Sequence, residues 1–102
     1  MKVSLRKKLD EINTKHHEIE KLLSDKDITN DINKYKNLSV EYARLEIIIK
    51  DYKKYLSHEE SLKDSEEIAK NETGELKKLA DQEIKISKEE ILMLEKKLEI
   101  DR

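Results

Sequence analysis

A chain of 102 residues with one glycine, no proline and no cysteine gives helices almost no breakers, and it excludes a disulfide framework, Cys-bound zinc and a thiol nucleophile. Charged residues make up 45% of it against about 25% in ordinary globular domains, and Phe and Trp are absent, which excludes a thick spherical core and favours packed long helices. Formal net charge is −2 with both signs mixed throughout, which excludes a nucleic-acid binder that relies on bulk charge.

The first predicted helix covers about residues 4–23. Its apolar positions Leu5, Leu9, Ile12, His16, Ile19 and Leu23 are spaced 4, 3, 4, 3, 4, the narrow seam of packed long helices, with His16 standing in one core position. Ser24-Asp25-Lys26-Asp27 ends the pattern with residues that prefer caps and turns. A second helix is expected over about residues 31–70, with Asn30 or Asp31 able to cap its first free N–H groups. Its seam reads Tyr35, Leu38, Tyr42, Leu45, Ile49, Tyr52 and Leu56, spaced 3, 4, 3, 4, 3, 4, and Ile47 and Ile48 widen the apolar arc. Tyr55 lies just off this seam and is expected to be exposed. After Leu56 the register slips to Leu62, Ile68 and Ala69. Ser57-His58-Glu59-Glu60 has the form of a capping box that would permit a kink, yet one long helix is the preferred reading.

Asn71-Glu72-Thr73-Gly74 is the strongest turn signal. Thr73 is placed to cap a third helix over about residues 74–100, with Glu75 favourable in its first turn. That helix carries Leu76, Ala80, Ile84, Ser87, Ile91, Leu94 and Leu98, spaced 4, 4, 3, 4, 3, 4. Short connections make successive helices antiparallel. At 1.5 Å per residue, the three helices would be about 30, 60 and 40 Å long. The expected fold is all-α: an elongated antiparallel three-helix bundle, or long helical hairpin, with coiled-coil-like seams, in one domain over residues 1–102.

These residues also match a family. Lys8-Leu9-Asp10-Glu11, Lys15-His16-His17-Glu18 and Leu22-Leu23-Ser24-Asp25 resemble the opening helix and turn of bacterial class I peptide chain release factors. Tyr35-Lys36-Asn37-Leu38-Ser39-Val40-Glu41-Tyr42-Ala43-Arg44-Leu45 is similar to the family's aromatic-x-x-Leu-Ser-x-Glu-Tyr-x-x-Leu run. Leu76-x-x-Leu79-Ala80-x-x-Glu83-Ile84 and Leu94-Glu95-x-x-Leu98 resemble its third helix. The opening Met1-Lys2-x-Ser4 and the element lengths are closer to the UAA/UAG-reading type. Family members often carry prolines where Val3, Lys26 and Gly74 stand here, a departure that affects turn stiffness. The resemblance implies the N-terminal domain of such a factor, cut before the codon-reading and Gly-Gly-Gln domains. With one glycine and no proline, this chain holds neither the Gly-Gly-Gln loop nor the Pro-containing codon-reading tripeptide of that type. The implied partners are the ribosome, at the stalk-base region of the large subunit, and the class II release factor GTPase.

Candidate sites of other kinds weigh little. Asp25-x-Asp27-x-Thr29 opens like a calcium loop, but Asn30 replaces the required glycine and Lys36 the bidentate glutamate. His16 and His17 are adjacent, so on a helix they point about 100° apart and cannot pinch one metal as an i, i+4 pair does. Glu59-Glu60, Glu66-Glu67 and Glu89-Glu90 read as solvated faces, since catalytic carboxylates need a partly dry cleft. Three of the four tyrosines lie on the seam with Leu38 and Leu45, which favours core packing over a base-stacking platform. The longest apolar run is Ile47-Ile48-Ile49, and charges follow within one turn of Met1, so neither a membrane span nor a signal peptide is expected.

The reading is therefore a cytoplasmic, monomeric contact module of translation termination. It expects no catalytic, cofactor-binding or metal residues and no independent nucleic-acid site, and it leaves the binding residues unassigned. The alternative is a freestanding coiled-coil protein that buries its seams by oligomerising.

Overall fold

The computed structural model describes residues 1–101. Its elements are α1 (Val3–Leu23), a 3-10 helix (Lys26–Asn30), α2 (Ile32–Asn71) and α3 (Glu75–Asp101). The chain divides into two compact units, residues 1–50 and 51–101. α2 contributes its first part to one unit and its second part to the other. Neighbouring helices pack antiparallel within each unit.

In the first unit the α1 seam is buried as its spacing requires: Leu5, Leu9, His16 and Ile19 are inside. Ile19 meets Leu45 and Ile49 of α2, with Ile12, Leu23, Leu38 and Tyr42 packed around them. α1 ends at Ser24, whose N–H donates to the Glu20 carbonyl at 3.1 Å and whose hydroxyl donates to the same oxygen at 3.0 Å. The polar run after it is more ordered than a plain turn. Asp25 caps the 3-10 helix by accepting the Asp27 N–H at 3.0 Å, and this short element buries Ile28. Asp31 then caps α2, its Oδ1 accepting the Lys34 N–H at 3.1 Å.

α2 runs unbroken through Ser57 to Asn71, so the capping-box pattern there does not act. No single face of this helix is apolar along its whole length. Up to Ile49 the buried positions are Leu45 and Ile49 of the heptad seam and Ile48 beside it. Beyond it the buried residues are Asp51, Tyr52, Tyr55 and Ser65, with Leu62 half-buried. Tyr55, expected to be exposed, is instead 1% accessible, while Leu56 takes the outward position. Tyr35 and Ile47 are also exposed, contrary to their places in the seam and its flanking arc. A strict 3-4 alternation carried along a 40-residue helix assumes one partner, whereas the two ends of α2 belong to different units.

In the second unit α3 buries Ala80, Ser87 and Leu98 and half-buries Ile84, Ile91 and Leu94. Leu76 is exposed although its spacing places it in this seam. Gly74, at φ +69°, occupies the position just before the helix, and its carbonyl accepts the Lys78 N–H at 3.1 Å. This places glycine, rather than the expected Thr73, in the capping position, since a left-handed backbone costs a side chain least when there is none. Among the described residues, no helix is long and apolar enough to cross a membrane.

Candidate interaction site

Four polar clusters and one groove stand out. In the first unit, the His16 ring stacks on Tyr42 at a centroid separation of 4.4 Å, and its Nε2 lies 2.5 Å from Glu46 Oε2. Burial, then the charges of Glu46 and Glu20 and a hydrogen bond to Glu46, pushes the Tyr42 phenol above its ordinary value. His17 turns the other way, toward Glu20, with its Nδ1 3.7 Å from the carboxylate. The two imidazoles thus serve different carboxylates and different faces of α1. On the outer rim Glu41 binds Arg44 through two contacts of 2.8 and 3.2 Å, and Lys15 of α1 lies 3.8 Å away. The Arg44 hydrogen bond, with the nearby cations, holds the Glu41 carboxyl below the usual carboxylate range. The Tyr35–Leu45 block is thereby explained: Leu38, Tyr42 and Leu45 pack, and Glu41 ties α2 to α1.

In the second unit the Tyr55 hydroxyl lies 3.1 Å from Glu59 Oε2 and 3.2 Å from Glu95 Oε1. One phenolic proton serves one acceptor at a time. Burial, reinforced by both carboxylates, drives this phenol far above its ordinary range. Asp51, 5% accessible, has Lys97 Nζ 3.0 Å from its Oδ2. The contact is one of charge with charge, because that oxygen receives no aligned hydrogen bond. Each of these clusters joins α2 to a neighbouring helix, which is a structural task. Among the described residues, no group of three or more metal-binding side chains converges.

The groove lies where α2 passes into α3. Ile68 of α2 and Leu76, Leu79, Ala80, Glu83 and Ile86 of α3 line a cavity of about 370 Å³, floored in part by Ser65. Ile68 also borders an adjoining hollow lined by Asp64, Glu67, Asn71 and Glu72. Ile68, Leu76, Leu79 and Ile86 are all exposed, with Leu79 at 59%. Four large aliphatic side chains around one groove form a patch, which isolated surface leucines do not. The sequence held a signal for it. Leu76, Leu79, Glu83, Ile86, Glu90 and Met93 repeat with spacings 3, 4, 3, 4, 3, a second stripe beside the buried seam of α3. The buried-seam spacing claims Leu76 as well, and the glutamates that interrupt the second stripe hide it from a reading of apolar period alone.

Comparison with known proteins agrees with the resemblance carried by these residues. The PCRF domain family matches residues 12–101. Peptide chain release factor 1 of Agathobacter rectalis is 39% identical over 94 residues, which are 91% of this chain and 26% of that protein. The chain therefore spans about a quarter of the length of that curated relative. No solved structure matches. With the match running from Ile12 of α1 through α2 and the groove to the end of α3, the chain belongs to the PCRF domain family, the N-terminal domain of peptide chain release factors.

Proposed function

We propose that this chain acts in translation termination as the N-terminal contact module of a UAA/UAG-reading peptide chain release factor. It works in the cytoplasm as a single helical domain and a monomer, touching the ribosome near the stalk base of the large subunit and the class II factor. Hydrolysis and codon reading belong to other parts of such a factor, and this chain contributes neither catalytic residues nor a metal or cofactor site. The observation that carries the reading is the family match across residues 12–101, together with 39% identity to a peptide chain release factor 1. The polar clusters support it, because each is used to hold helices together. The exposed groove is a surface free for contact.

The test is co-sedimentation of the purified chain with ribosomes programmed with UAA, alongside its own sedimentation equilibrium. Saturable pelleting by a chain that is otherwise a monomer supports the reading. A chain that self-associates and stays in the supernatant favours the freestanding coiled coil.

A further inference from the structure

We propose that the groove between the end of α2 and the start of α3 is a docking site for a basic amphipathic helix of a protein partner. The inference rests on the contact-module reading and adds which surface makes a contact and what chemistry it meets.

Three observations select that occupant. The first is shape: Ile68, Leu76, Leu79 and Ile86 surround a cavity of about 370 Å³ and are exposed, though each is large and apolar. The second is period. The stripe on α3 from Leu76 to Met93 alternates spacings of three and four, the repeat that accepts a second helix packed lengthwise. A strand would need a repeat of two, and a small ligand needs no repeat at all. The third is charge. Between Asp64 and Glu83, seven carboxylates face three lysines, a formal charge of −4 in twenty residues of a chain whose total is −2. Asp64, Glu67 and Glu72 line the hollow beside Ile68, and Glu83 lines the groove itself. Glu83 and Glu90 interrupt the apolar stripe at positions where a packed helix would offer side chains of opposite sign.

The same charges disfavour two other occupants. An RNA backbone would meet net negative charge with few cations, one of which, Lys77, is already 3.2 Å from Asp81. A second copy of this chain would bring an identical acidic rim to the same place.

The experiment is NMR titration of the uniformly labelled chain with an 18-residue synthetic helix carrying leucine at heptad a and d positions and lysine elsewhere. Controls are a scrambled peptide of identical composition, the same helix with glutamate for lysine, and a stem–loop RNA. Expected are saturable shifts centred on Ile68, Leu76, Leu79 and Ile86 with the basic helix alone. Leu79→Gln, at an exposed position that leaves the fold intact by circular dichroism, should weaken binding at least about tenfold, as should Glu83→Lys. Equal binding of the scrambled peptide, preferred binding of RNA or of the acidic helix, shifts elsewhere, or dimerisation of the chain through this face would each overturn the proposal. Ribosome pelleting of the same variants separates the two readings. Peptide binding without pelleting sinks the release-factor role and leaves the groove assignment standing. Pelleting without any peptide binding does the reverse.

Discussion

The pair Tyr55 and Leu56 offers a sharp test of how α2 is packed, because heptad spacing and the structure rank them in opposite order. Tyr55 is 1% accessible and Leu56 37%. Removing a buried aromatic ring leaves a cavity and costs about 3–5 kcal/mol, so Tyr55→Ala should consume a large share of a typical stability of about 5–15 kcal/mol. For a domain of this size that corresponds to a fall in Tm of more than about 12 °C. Leu56→Ala removes side-chain surface that is already about a third wet and should cost about 1–2 kcal/mol. Tyr55→Phe isolates the hydroxyl. It keeps the ring and removes the donor to Glu59 and Glu95, for about 1–2 kcal/mol; both carboxylates are only half-buried and regain water, which lowers the cost. Urea unfolding followed by helical circular dichroism measures all three. If Leu56→Ala proves as damaging as Tyr55→Ala, the packing of the second part of α2 is wrong and the simple heptad seam is right.

Four further expectations follow from the same geometry. Leu45→Asp buries an uncompensated charge beside Ile19 and Ile49 and should cost about 3 kcal/mol or more, whereas Ile47→Asp, on the exposed face, should cost under about 0.5 kcal/mol; paired thermal melts decide. Lys97→Met strands the buried Asp51 carboxylate and should destabilise by about 1–3 kcal/mol, a cost that Asp51→Asn combined with it should largely restore in a double-mutant cycle. The phenols of Tyr55 and Tyr42 are both raised above 10 in the folded chain, so the unfolded chain releases their protons first. Stability from these groups is complete below about pH 10 and declines as pH rises beyond it, and Tyr55→Phe should flatten that decline in alkaline unfolding curves. Gly74→Ala should cost about 1 kcal/mol purely through the backbone, since φ is +69° and a Cβ there meets nothing within 4 Å; Gly74→Asn should cost less in the same melts.

Much of the fold was legible because it follows from local chemistry. The Leu5-to-Leu23 spacing, the absence of proline and the Asn71–Gly74 turn specify three helices, and the observed bounds lie within a residue or two of those read from the pattern. The seams of α1 and of most of α3 were likewise readable, each having one apolar stripe to bury. The second part of α2 was not. Its inward positions depend on where α3 packs, which is long-range information, so Tyr55 and Leu56 exchange roles there. The 3-10 helix was missed because residues that prefer turns, such as Asp25 and Asp27, also cap short helices, and Ile28 is a lone apolar residue without a period. The groove was hidden for a related reason. Leu76 fits two stripes, and only packing decides that it belongs to the exposed one. The polar partners His16–Glu46 and Lys97–Asp51 join residues 30 and 46 apart, beyond the reach of local pattern.

The most direct test of the proposed role is a domain exchange in which this chain replaces the matched segment of Agathobacter rectalis peptide chain release factor 1. Peptide release at a UAA codon is then measured against the parent factor and a version lacking the segment. A chimera within about tenfold of the parent, and clearly above the version without the segment, is the expected result. A folded chimera no better than the factor lacking the segment would contradict a contact role in termination.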